Sequence, residues 1–385
     1  MKNQMDFREH NREVRKLWED FSKGVHQRVP MITGISDRFY VLNPITNPKD
    51  VSFYEYSNDP ELMFEMQCRF SEYAKFNIVG DHEMGIPENG WTVNVDFQNY
   101  YEAAWLGAEV CYPDHDVPYA VPLLNDDNKE ILFHKGIPDP FGGFMARAKE
   151  YYDYFVERSK TTQILGQKIS DIGAWFTTTD GMFTVACELR GPDNLCIDMY
   201  EDPDYYHQLM EYLTECTITR MKAWRKYMGK PEIEKSFGFA DDSILLISND
   251  MYKEFVLPYH KKLASALSTM EERGGVHLCG DATRHFKTIR DELNIYSFDT
   301  GFPVNHRELC LELGDEVTIQ GGPCAQLIHS GTPEQIEAES KRILEEVKPV
   351  SRKFIFRDGN DIPPYTPMEN IKALRDACLK YGWYE

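Results

Sequence analysis

The chain is poor in cationic residues. Its 385 residues include 42 Lys and Arg against 63 Asp and Glu, a formal charge of −21. Such a surface repels nucleic acid and anionic lipid, so small molecules or another protein are the expected partners. Long apolar runs are also missing: nothing approaches the roughly 18–20 residues that a membrane span requires, and the mean hydropathy is −0.51. There is no paired cysteine framework. Nine cysteines are scattered singly between Cys68 and Cys378, an odd number that argues for reduced thiols in a cytoplasmic setting. No internal repeat or low-complexity linker is visible. The opening MKNQMDFREHNREVRKLWEDF alternates charges, so residues 1–28 read as a solvated helical extension rather than a signal peptide.

What is present is an alternation. Short apolar runs at 171–176, 235–240, 275–279, 296–301, 316–321 and 353–359 are separated by amphipathic stretches such as YKEFVLPYHKKLASALSTMEERG and TPEQIEAESKRILEEVK. Upstream, VPMITGIS (29–36) and LGAEVCY (106–112) supply two more. Eight strands alternating with helices predict an α/β chain, one TIM (β/α)8 barrel over residues 29–385 with parallel strands. Residues of about 113–165, rich in Pro, Asp and aromatics, break the rhythm and are expected to be a long insertion after the second strand.

Within GGVHLCGDAT (274–283), His277 and Cys279 stand two apart. On a strand they point to one face, and at its carboxyl end they offer an imidazole and a thiol side by side. Cys324 follows the 316–321 run by a Gly-Gly-Pro turn, on the same expected rim. One imidazole and two thiolates form a soft set suited to zinc with an exchangeable position. The plain alternative is a core histidine with two buried cysteines. Asp241 and Asp242, just past another strand end, are candidates for a further ligand, a support for His277 or a proton donor, or else simple helix caps. Asp281 and Asp299 are weaker candidates of the same kind. Tyr112, Trp175, Phe176 and Phe302 lie near predicted strand ends, where they would either wall an aromatic substrate or pack the core.

Several collinear segments resemble the uroporphyrinogen decarboxylase superfamily over roughly residues 165–385: GMFTVACELRGPDNLCIDMYEDPDYYHQLMEYLTE, FADDSILLISNDMYKEFVLPYHKKL, HSGTPEQIEAESKRIL and DIPPYTPMENIKALRDACLKYG. The resemblance implies a TIM barrel with its site at the carboxyl-terminal rim. It covers decarboxylases of tetrapyrrole acetates and corrinoid-dependent methyltransferases. The decarboxylases carry an Arg-rich loop after the first strand, whereas MITGISDRFY retains only Arg38, preceded by Asp37. The thiol-methylating branch binds zinc through a His-x-Cys pair, matched by His277 and Cys279, and a later cysteine whose place is taken here by Asn360.

The branch resembled best comprises the first methyltransferases of aryl-methyl-ether O-demethylase systems, in which the zinc ligands vary. It implies transfer of a methyl group from a phenyl methyl ether to cobalt(I) of a corrinoid (cobalamin) carried on a separate corrinoid protein. The chain has no Asp-x-His-x-x-Gly cobalamin motif: in GDHEMG (80–85), Asp81 and His82 are adjacent. The implied assignment is zinc on His277, Cys279 and Cys324, with Asp241 or Asp242 as fourth ligand or acid. A methylcobamide:thiol (coenzyme M-type) methyltransferase is the alternative, and a non-enzymatic zinc-bearing barrel a more distant one. A homodimer is left open.

Overall fold

The computed structural model describes residues 6–384, which fall into two compact units. The first comprises the chain up to Asn94, residues 156–173 and everything from Phe298 onward; the second comprises residues 95–155 and 174–297.

In the first unit, strands Thr318–Gly321 and Phe354–Phe356 pair in parallel, with Ile319 opposite Phe354 and Gly321 opposite Phe356. The Phe354–Phe356 triplet is buried throughout, as expected where helices cover both faces of a parallel pair. Strand Ile295–Thr300, which crosses the unit boundary, neighbours Thr318–Gly321, and the Thr300 hydroxyl donates to the Gln320 carbonyl at 2.8 Å. Helix Pro333–Val347 opens with a capping box between Thr332 and Gln335, and the closing helix is Met368–Tyr381. The helix read at the amino terminus runs Phe7–Ser22, capped by Asp6, and Val14, Leu17 and Phe21 form a buried stripe along it. Spacing of three and four places those three side chains on one face. The first five residues of the expected extension lie outside the described residues.

In the second unit, strands Gly238–Ala240 and Gly274–Leu278 pair in parallel, with Ala240 opposite His277. Strand Ile295–Thr300 is the next neighbour of Gly274–Leu278. Helices Met182–Arg190, Pro203–Tyr227 and Leu257–Leu267 accompany this pair. A buried ion pair ties the layer together: Arg220, on Pro203–Tyr227, meets Glu102. Arg220 also donates to the Phe176 carbonyl at 2.7 Å and the Thr178 carbonyl at 2.9 Å.

The expectation of eight parallel strands needs correction. Among the described residues there is no closed barrel: the second unit pairs the strands at 238–240 and 274–278, and the first pairs those at 318–321 and 354–356. The 29–36 run contributes only a bridge from Met31 to Phe356, because side chains take its flanking amides: Asp81 accepts from Met31 N at 2.7 Å and Asp358 from Gly34 N at 2.8 Å. The 106–112 run is reduced to Val110–Cys111, antiparallel to Tyr119–Ala120. The 171–176 run is the end of Gln167–Ala174, which folds back on Gln163–Ile164. That hairpin turns through Leu165 and Gly166 at φ +49° and +79°, the two consecutive positive-φ residues that a tight hairpin turn requires. Its further neighbour, Trp91–Val95, is a strand not expected from the sequence. The region of about 113–165 contains two helices, Ile131–Lys135 and Phe144–Ser159. No described helix is long and apolar enough to cross a membrane.

Removing one partner of a buried ion pair strands the other charge. Arg220→Met should therefore lower unfolding free energy by about 3–5 kcal/mol in urea titrations, and combining it with Glu102→Leu should recover part of the loss.

Candidate metal centre

The parallel pair Gly238–Ala240 and Gly274–Leu278 ends where the chemistry collects. Gly280, next after Cys279, takes φ +65°, which turns the chain sharply off the strand. Asp242, His277 and Cys279 each offer a ligand atom here, all within 4.8 Å of one another, and all three residues are half-buried. His277 Nε2 lies 3.2 Å from Cys279 Sγ. A tetrahedral ion with bonds of 2.0–2.3 Å sets its ligand atoms about 3.3–3.8 Å apart, so the cluster has the span and the donors for zinc. Asp242 is held by Cys279, whose backbone N–H donates to Oδ1 at 2.7 Å and whose side chain also hydrogen-bonds the carboxylate.

Burial pushes the Cys279 thiol above its usual range; the His277 contact pulls it down, and the Asp242 charge raises it again. A thiol in that setting keeps its proton until a cation replaces it.

Asp241 plays a different part from its neighbour. It is fully buried, and its carboxylate accepts four hydrogen bonds. Oδ1 takes Thr184 N at 2.8 Å and the Thr184 hydroxyl at 2.7 Å. Oδ2 takes Phe183 N at 3.1 Å and His260 Nε2 at 2.9 Å. Three of these donors, two of them backbone N–H groups, belong to the first turn of Met182–Arg190, so Asp241 caps that helix from a distant loop. The approach depends on Gly181, at φ +92°, where a Cβ would come within 2.3 Å of Asp241. With every lone-pair direction used, Asp241 has none left for a metal or a substrate.

Cys324 is not in the cluster. In the first unit it is the N-cap of helix Ala325–Ser330, with Sγ accepting from Leu327 N at 3.4 Å. Asp281 accepts from Thr283 at the start of the next helix. Asp299 pairs with Arg357, which also faces Asp358 and Asp361. Among the aromatic candidates, Phe176 is 1% exposed and packs on Trp224 at 4.6 Å and Tyr101 at 5.7 Å. Tyr112 shares a hydroxyl contact of 3.0 Å with Tyr100. Trp175 and Phe302 are open to solvent, at 54% and 49%. Residues that the sequence reading did not single out are Thr184, Tyr252, His260 and Asp358.

An α/β protein that gathers a thiol, an imidazole and a carboxylate where parallel strands end belongs to the class that builds its chemistry on strand termini. More narrowly, the chain belongs to the uroporphyrinogen decarboxylase (URO-D) family, whose sequence profile matches residues 99–381. It is similar to a methylated-thiol–coenzyme M methyltransferase of Methanosarcina mazei, 30% identical over 199 residues, 51% of this chain and 50% of that protein. It is also similar to the methylcobamide:CoM methyltransferase MtbA of the same organism, 24% identical over 224 residues, 58% of this chain and 63% of that protein. A uroporphyrinogen decarboxylase of Chlorobaculum parvum is 27% identical over 210 residues, 52% of this chain and 58% of that protein. The chain thus spans between half and just under two thirds of the length of these curated relatives. A solved methyltransferase from Methanosarcina mazei shares the fold at TM-score 0.66 and 18% identity, covering 96% of this chain and 98% of that one.

Asp358 gives the pH test. It is fully buried, and burial raises its carboxyl to about 7 against the opposing pull of Arg357 and the Gly34 amide. The native state therefore holds this proton more tightly than the unfolded chain, where an Asp titrates near about 3.9. The stability it contributes is complete below about pH 4 and is lost as pH rises through 7. Asp358→Asn, which still accepts from Gly34, should gain in Tm relative to wild type as pH goes from 5 to 8; a pH-independent difference would contradict the assignment.

Proposed function

We propose that the chain is a zinc-dependent, corrinoid-dependent methyltransferase. It moves a methyl group from a phenyl methyl ether, of the guaiacol, vanillate or veratrol kind, to cobalt(I) of a corrinoid held by a separate protein. The observation that carries the proposal is the convergence of Asp242, His277 and Cys279 within 4.8 Å. Family membership and the printed activities of the two Methanosarcina mazei methyltransferases support it. The reading takes the parallel strands as part of a (β/α)8 barrel with its mouth at their carboxyl ends.

The difficulty of the reaction is the leaving group. A phenol titrates near about 10, so its anion departs poorly at neutral pH. Zinc bound by Asp242, His277 and Cys279 would act as a Lewis acid on the departing oxygen, worth several kcal/mol at the transition state. The chain's own groups do the rest. His277 stands on strand Gly274–Leu278 and Cys279 directly follows its last residue, while the Cys279 amide fixes the Asp242 carboxylate beside them. The exposed Trp175 ring provides an apolar face for an arene, with Tyr112 as the other proposed contact. Asp242 is the third ligand in this scheme, beside His277 and Cys279.

The second reading is a methylcobamide:thiol methyltransferase, favoured by the substrates in the names of the same two relatives. Against it stands Asn360 in the place of that branch's late cysteine.

The readings separate in one assay, in which purified chain is incubated with cobalt(I) cobalamin and guaiacol, or with methylcobalamin and coenzyme M. Ether-dependent loss of the cobalt(I) absorbance is expected; thiol methylation with inert ethers would establish the second reading. Zinc analysis tests the ligands separately. His277→Ala and Asp242→Ala should lose most bound zinc, whereas Cys324→Ser should keep it; unchanged zinc in His277→Ala would overturn the ligand set.

A further inference from the structure

We infer that His260 is a positioning residue for the Asp242 carboxylate, acting through Asp241 and fixed in turn by Tyr252; this rests on the metal reading above. All three supporting side chains are completely buried and form an unbroken chain. The Tyr252 hydroxyl meets His260 Nδ1 at 3.0 Å, and His260 Nε2 meets Asp241 Oδ2 at 2.9 Å. Asp241 Oδ2 already accepts from Phe183 N, so the contact is made with His260 donating from Nε2. That leaves Nδ1 as an acceptor, which the Tyr252 hydroxyl satisfies. The tyrosine thus selects the tautomer that the aspartate needs.

The helix that carries the pair is shaped to allow this contact. Residues eight apart on a regular helix differ by about 80° in direction. Here Tyr252–Val256 forms a wider π-helical turn before the regular helix Leu257–Leu267. The extra residue in that turn brings Tyr252 and His260 onto one face.

From Asp241 the constraint passes to Asp242 from both sides. Asp241 fixes the Thr184 hydroxyl, and that hydroxyl accepts from Ser243 N at 2.9 Å. The residues before and after Asp242 are therefore both tied to Thr184 at the start of helix Met182–Arg190. Between them, the Asp242 side chain is left to meet Cys279 N and the metal. None of the His260 contacts is to a proposed ligand; its other neighbour is Phe239, 4.4 Å between ring centroids. If His260 served packing alone, an apolar residue of similar size would replace it without effect on the ligand cluster.

The test uses the full chain, stripped of metal and titrated with Co(II), whose visible spectrum reports ligand geometry and thiolate bonding. His260→Leu should bind Co(II) about 10–100-fold more weakly with an altered visible envelope. His260→Gln, which can place an N–H near the Nε2 position, should restore most of both. If His260→Leu does not fold, Tyr252→Phe decides, with severalfold weaker binding expected at native circular dichroism. A folded His260→Leu or Tyr252→Phe chain with wild-type affinity and spectrum overturns the assignment and leaves the metal reading standing. A wild-type chain that takes up no Co(II) overturns the metal reading, and this assignment falls with it.

Discussion

The account depends on one fully buried carboxyl group whose two oxygens both meet hydrogen-bond donors. Asp241 is surrounded by four donors from two separate helices. Burying such a polar group is tolerated only when it finds hydrogen-bond partners. Here the requirement is met by joining a strand end, a helix start and a second helix at one point. The neighbouring Asp242 inherits a fixed backbone from this arrangement, and with it a direction toward His277 and Cys279. Two adjacent aspartates thus stand differently: Asp241 is fully buried among its donors, and the half-buried Asp242 joins His277 and Cys279.

The same logic recurs elsewhere in this acidic chain. Glu102 is balanced by Arg220 in the second unit, and Asp299 by Arg357 in the first. Glu188 lacks such a cation, and burial beside Asp180 and Glu102 pushes its carboxyl well above the usual range. Most of the net charge therefore sits on the surface, where it governs solubility and the choice of partner rather than the fold.

Much of this was legible in the sequence. Period-two patterning and the His-x-Cys spacing placed His277 and Cys279 on one strand face, and the alternation of strand and helix signals marked the strands from residue 238 onward. The upstream half was less readable for physical reasons. Met31 and Gly34 give their amides to aspartates rather than to a ladder, so an apolar run there leaves only a bridge. Strand Trp91–Val95 carries Asn94 and Thr92, and its tryptophan indole donates to the Ile164 carbonyl, a pairing that no local pattern announces. His260 left a usable trace. It falls in register with the buried Val256, Leu263 and Leu267, so helical periodicity alone puts a polar ring on a buried face, where it needs partners. Which partners it finds is a tertiary fact. The different fates of Asp241 and Asp242 are likewise invisible in the dipeptide, because donors between 19 and 58 residues away decide them.

The most direct test of the central claim is X-ray absorption at the zinc edge on the purified chain. The account predicts about one zinc per chain, with sulfur near 2.3 Å and nitrogen or oxygen near 2.0–2.2 Å. The sulfur should vanish or diminish in Cys279→Ser. A shell of oxygen alone, or zinc far below one per chain after loading, would contradict the account.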